Sequence, residues 1–227
     1  MVYTKHHLYF YFMKHIKLIL SIIVVVIVLG GGIWWYLTNN KDAQRPQSAS
    51  QESFPNTDKL PFVQQPPTQE DLNNGGVIAN DNFSIDYPAG WASSTAPEGI
   101  DALIIKQDEN ITNQQALTAG FQSYIAVSPD SFAQKSQAQY VDLVKQQLSS
   151  LLPDATFTNE HAATINGRSA YEFEIKLNQN DINFHVLMVV IQGNNDDAWV
   201  ISFNTLEEFW SGYAQTFADI SNSFQVK

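Results

Sequence analysis

Leu18 to Leu37 is a run of 20 residues without a charge, thirteen of them Leu, Ile or Val. As a helix rising about 1.5 Å per residue it reaches about 30 Å, the thickness of the hydrocarbon core of a bilayer. Lys14 and Lys17 sit just before the run, and Trp34, Trp35 and Tyr36 close it. Cations and amphipathic rings take those positions at a headgroup boundary, so these five residues are the expected membrane interface and the lipid bilayer is the first expected partner. A removable signal peptide is the alternative, because Gly30 and Gly32 form a small-x-small pair after the apolar stretch. The span is long for a leader, and cleavage there would leave Ile33 to Leu37 as an exposed aromatic end, so an uncleaved anchor is preferred. Lys5, Lys14, Lys17 and the terminal amine precede the span, against Lys41 and Arg45 after it. That balance places the N-terminus inside and the remainder of the chain outside the cell membrane, in a single pass.

The anchor divides the sequence. Residues 1–17 are a short basic and aromatic N-terminus, 18–37 the transmembrane helix, and 38–76 a linker with five Pro and six Gln and no sustained period. A flexible chain of that length has a root-mean-square reach of about 35 Å. Residues 77–227 are long enough to bury one core and form the outer domain. They carry six basic and eighteen acidic residues, so the acidity of the chain, −11 overall, lies in this domain. A nucleic-acid partner, which needs a basic face, is excluded. The absence of Cys excludes disulfides, thiolate zinc sites and a cysteine nucleophile.

Periodicity sketches the outer domain. Phe83, Ile85 and Tyr87 alternate with polar residues up to the Pro88-Ala89-Gly90 turn, and Ala102 to Lys106 and Phe121 to Val127 read as further strands around a polar connection, Asn110 to Gly120. Ser128 and Pro129 read as the start of a helix whose apolar stripe is Tyr140, Val141, Val144, Leu148, Leu151 and Leu152. Asn166-Gly167 is a type I′ turn signal leading into Tyr171, Phe173, Ile175 and Leu177, alternating with Glu172, Glu174 and Lys176. The unbroken apolar stretch Val186 to Ile191 requires cover on both faces of the sheet. Ala198 to Phe203 follows across a turn, and Thr205 with Glu208 reads as the capping box of a last helix bearing Leu206, Phe209, Trp210, Tyr213, Phe217, Ile220 and Phe224. The expected fold is α+β: an antiparallel sheet flanked by helices on both faces, an α/β/α sandwich preceded by one transmembrane helix.

Three stretches of this domain resemble a known family. Phe83-Ser-Ile-Asp-Tyr-Pro-Ala-Gly-Trp91, then Ile165-Asn166-Gly167-Arg168 leading into Tyr171-Glu172-Phe173, then Ala198 to Phe203 running into a helix that closes on Ser223-Phe224, are similar to the PsbP-like family. The resemblance covers Val77 to Lys227. It implies the same sandwich, and a place among extrinsic photosystem subunits and bacterial envelope proteins. The anchor and tether separate this chain from the photosynthetic subunits.

Residues that could carry chemistry are few. His161 and His185 have no companion at metal-ligand spacing, and for both a strand histidine with a hydrogen-bonded ring is the preferred reading. Asp196 with Asp197, Asp108 with Glu109, and Asp181 among asparagines are the candidate oxygen ligands for weak binding of Ca²⁺ or Mn²⁺. None belongs to an EF-hand loop, and solvated turn acids are the simpler reading. No nucleophile elbow, Ser-x-x-Lys, His-Glu-x-x-His or phosphate loop occurs, so no catalytic residue and no cofactor is expected. The expected function is a membrane-anchored, non-catalytic binding or assembly module with an envelope protein as partner; the alternative is an envelope hydrolase whose acids converge in a cleft.

Overall fold

The computed structural model describes residues 74–227. The expected N-terminus, transmembrane helix and most of the linker lie outside them. Ten strands and three helices follow one another in the described residues. Strand β1 (Gly76–Ala79) pairs antiparallel with β2 (Phe83–Tyr87), which also takes β10 (Gln225–Val226), giving a small three-stranded sheet. The remaining strands are β3 (Trp91–Ser94), β4 (Ala102–Lys106), β5 (Tyr124–Ser131), β6 (Thr156–Ile165), β7 (Arg168–Gln179), β8 (Ile182–Gln192) and β9 (Asp197–Leu206). They form one antiparallel sheet in the order β3-β4-β5-β9-β8-β7-β6. Of the small sheet only its central strand, β2, is expected from the sequence; β1, β10 and their separation from the large sheet are not.

Helices lie on both faces of the large sheet, as the two-faced burial of β8 demands. The helix α2 (Gln137–Leu151) packs Tyr140, Val141, Val144 and Leu148 against Phe173, Ile175, Val186 and Met188. Across the sheet, α3 (Glu207–Ser223) sets Phe217 and Ile220 against Leu187, Val189, Ile201 and Phe203, and the small sheet adds Phe83 and Ile85. The third helix, α1 (Gln114–Ala119), lies inside the stretch read as a polar connection; Asn113 caps it and Gly120, at φ 66°, ends it. A six-residue helix with one buried residue, Ala116, has too little periodicity to show in sequence.

Three boundaries differ from expectation. Phe121 precedes β5, which begins at Tyr124. Ser128 and Pro129 lie within β5, not at a helix start: β5 outruns β4 there and pairs only with β9, so a residue without an N–H is tolerated. The helix instead begins after Ser136, whose Oγ accepts from the Gln139 amide at 3.3 Å while Gln139 Oε1 accepts from the Ser136 amide at 3.0 Å. Thr205 caps nothing, because β9 runs on through Leu206 and the Thr205 side chain is buried in the sheet; Leu206 is the N-cap of α3 and offers no side-chain acceptor. The Asn166-Gly167 turn is as read, with φ 46° and 78°. Asn166 also donates to the carbonyls of Asn222 and Phe224, tying this turn to the end of α3.

Candidate functional site

The strand register places Thr205 opposite His185 and His185 opposite Lys176. Residues directly opposite share a face, so these three form a polar row on the side covered by α3. Ser123, just before β5, extends the row, its hydroxyl 2.7 Å from that of Thr205. The row lies at the end of the sheet where β9 passes into α3, and the first turns of that helix roof it.

Glu109 holds one end. Its Oε2 accepts from the Ser123 amide at 2.9 Å and its Oε1 from the Ser123 hydroxyl at 2.7 Å. A serine hydroxyl has one hydrogen, so with Ser123 donating to Glu109 it is Thr205 that donates to Ser123. Tyr213 of α3 donates to the same carboxylate; burial first, and then this bond, push its phenol well above the ordinary tyrosine value.

His185 is the centre of the other end. Its side chain is 1% exposed. Nε2 lies 2.9 Å from Glu174 Oε2, Nδ1 lies 2.9 Å from Glu207 Oε2, and the ring stacks on the Trp210 indole with centroids 3.6 Å apart and planes 14° from parallel. The Nδ1 contact is an ion pair by distance, but Glu207 sits off the N–H direction and Nδ1 has no aligned hydrogen bond. Glu207 Oε1 also accepts from Lys176 Nζ at 2.8 Å. Burial works to raise the Glu207 pKa, but the Lys176 hydrogen bond and the positive charges of His185 and Lys176 outweigh it and hold the carboxyl below its ordinary 4.5.

This arrangement settles what the row can do chemically. Ser123 is fully buried with its hydroxyl engaged on both sides, so it cannot reach a substrate. His185 is enclosed between Glu174, Glu207 and the Trp210 ring, so its nitrogens face carboxylates and not an open cleft. Glu174 and Glu207 do converge, yet the imidazole fills the space between them that a scissile bond and a water would need. Two open depressions flank Glu207, of about 250 and 400 Å³. One is bordered by Asp154, Lys176 and Asn178, the other by Thr112, Asn113 and Glu208; Glu207 and Asn183 line both.

Apart from Asp108 and Glu109, the candidate metal ligands lie elsewhere. Asp196 sits in the β8–β9 turn, where its carboxylate accepts from the Gln134 amide at 3.0 Å and the Ser131 hydroxyl at 3.0 Å. Asp197 opens β9 and is exposed. Asp181 is in the β7–β8 turn at φ 63°. These turns cap opposite ends of β8, roughly 30 Å apart at about 3.3 Å per residue, so Asp181 cannot share an ion with the other two. Among the described residues no three His, Asp or Glu side chains stand together at a metal-holding geometry. Lys14, Lys17, Trp34, Trp35 and Tyr36 lie outside the described residues, and no described helix is long and apolar enough to cross a membrane.

The sequence reading foresaw a hydrogen-bonded His185 but not its partners. A usable signal was present: Glu174 and Lys176 alternate onto the face that His185 shares, and a histidine opening a doubly covered strand must be paired. Glu207 was hidden because the helix start was placed one residue early.

A seven-stranded antiparallel sheet with helices on both faces and a polar row closed over by the last helix defines the class of the domain: an α+β sandwich. The family model for PsbP matches residues 77–226, and the chain belongs to the PsbP family. Among solved structures, the chain is similar to the cyanobacterial PsbP, CyanoP, of Synechocystis sp. PCC 6803, with 15% identity and a TM-score of 0.52 over 73% of this chain and 100% of that one. It is also similar to LpqN of Mycobacterium tuberculosis, described as involved in cell envelope biogenesis, with 13% identity and a TM-score of 0.51 over 68% of this chain and 91% of the other. At those identities the likeness is one of fold. No curated protein matches the chain.

Proposed function

We propose that this protein is a membrane-anchored PsbP-family protein whose outer domain, carried on the Pro- and Gln-rich tether, is a non-catalytic binding or assembly module of the cell envelope. The observation that carries the reading is His185. There a buried imidazole is enclosed by Glu174, Glu207 and the Trp210 ring instead of facing a substrate space. Membrane attachment rests on the uncharged run Leu18–Leu37 and its flanking Lys, Trp and Tyr residues. The envelope setting is supported by that anchor and by the role described for LpqN. Weak cation binding by the turn acids Asp181, Asp196 and Asp197 would be incidental to this role.

The experiment is chemical cross-linking in cells producing the full chain, compared with a version whose residues 38–76 are halved and with an unrelated acidic domain on the same anchor. Enrichment of a defined envelope polypeptide by the full chain, reduced on shortening the tether, is the expected result, since tethering raises effective concentration. Failure to enrich any polypeptide over the control, with turnover of an envelope polymer by the purified chain, would replace the module with a hydrolase. Intact-cell proteolysis tests the topology: the outer domain is expected to be cleaved from outside while the anchor stays with the membrane.

A further inference from the structure

The last helix is held differently along its length. Its fully buried residues, Phe217, Ile220 and Ser221, all lie in its second half, where Phe217 packs 5.0 Å from Phe203 and 5.9 Å from Trp91, centroid to centroid. Its first turn has no side-chain cap. That turn is fastened by Glu207 on Lys176 and His185, Glu208 on the Thr112 hydroxyl at 3.2 Å and Trp210 stacked on His185, with Phe209 and Trp210 only partly buried against the two cores and Trp210 5.9 Å from Phe217. Glu207 and Lys176 are 42% and 45% exposed, so this fastening follows the pH of the surrounding solution, whereas the Phe217 end is sealed from it.

We propose that the first turns of α3 are an acid-released latch: protonation of Glu207 frees this end of the helix from the sheet, and Trp210 leaves His185, while the half beyond Phe217 stays seated. The titratable and charged groups around Glu207 are Glu208 on α3, Glu174 and Lys176 on β7, His185 on β8 and Asp154 ahead of β6, with Glu109 at the far end of the row. Lys176 donates to Glu207 and His185 Nδ1 lies 2.9 Å from it, while His185 Nε2 faces Glu174, so neutralising Glu207 removes the group that joins β7 and β8 to the start of the helix. The sign follows from the direction of the shift. A carboxyl held below its ordinary value stabilises the docked state above that value, and this contribution is lost as pH falls through the depressed one. Release would join the two depressions that Glu207 separates and bare the Trp210 indole, an apolar surface available only in acid. The proposal stands independently of whether the domain is a module or an enzyme.

The test is fluorine NMR on the full chain in nanodiscs, with 5-fluorotryptophan in place of Trp and the Trp210 signal assigned through Trp210→Phe. In an acid titration the Trp210 resonance is expected to move at a higher pH than those of Trp91 and Trp199, which report the sealed half. Lys176→Met is expected to shift the Trp210 transition to higher pH without moving the other two, and Glu207→Gln to give the acid-form resonance already at pH 7. If the three resonances change together in the parent protein, or if Lys176→Met leaves the Trp210 midpoint in place, the latch is disproved. Lys176 is a half-exposed strand residue whose replacement leaves the core intact, so this arm remains readable should Glu207→Gln unfold the domain.

Discussion

His185 shows how one buried side chain can set the character of a site. A Leu of similar volume in its place would leave Glu174, only 14% exposed, and Glu207 facing each other with no cation between them. His185→Leu is expected to destabilise the domain by about 1 to 3 kcal/mol in urea unfolding, since it leaves the largely buried Glu174 carboxylate without its hydrogen bond. Adding Glu174→Gln should recover part of the loss, because a neutral amide no longer repels Glu207. At acidic pH the direction for Glu207 gives a second expectation: stability measured from pH 7 downward should begin to fall below about 4.5, and Glu207→Gln should flatten that limb of the profile. The need for a partner at His185 was legible from its place at the head of an apolar strand. Which residues meet it was not, since that depends on a cross-strand register and on where a helix begins.

At the scale of elements, the two covering helices differ in how they start, and both start after the position read from the sequence. The reciprocal Ser136–Gln139 pair at α2 is a true capping box, so Ser136→Ala should cost about 1 kcal/mol. The apparent box Thr205–Glu208 is dismantled by tertiary demand: Ser123 takes the Thr205 hydroxyl inside the sheet and Thr112 takes Glu208. The same competition carried β5 through Pro129, where pairing with β9 overrode a residue that usually breaks strands. The stripes themselves were readable because burial enforces them. Phe217 is fully buried among Trp91, Phe203 and Tyr213, and Phe217→Ala should cost about 3 to 5 kcal/mol on chemical denaturation. A loss under about 1 kcal/mol would contradict the packing of α3.

On the scale of the whole molecule, the PsbP-family domain is a strong polyanion whose few cations are largely engaged. Lys145 pairs with Glu160, Lys176 with Glu207, Arg168 is bonded to Gly193 and Asn194, and Lys106 to the carbonyls of Gly90 and Gln107. Capture of a basic partner by the full chain should therefore weaken steeply between 0.1 and 1 M salt, as the screening length falls from about 10 Å to about 3 Å. The small sheet adds a mechanical property. Gly76 of β1 lies opposite Tyr87 of β2, a Cβ on Gly76 would come within 2.4 Å of the Tyr87 hydroxyl, and the β1–β2 turn is at the far end of the hairpin. A pull on residue 74 would therefore load the bonds between β1 and β2 one after another from the Gly76 end, as a zipper is opened, and not all together in shear. The four residues of β1 would peel first and lengthen the tether by roughly 13 Å, at about 3.3 Å per residue, before any strain reached the seven-stranded sheet. A chain tugged between a membrane and whatever its outer domain grips would meet a weak stage ahead of a strong one.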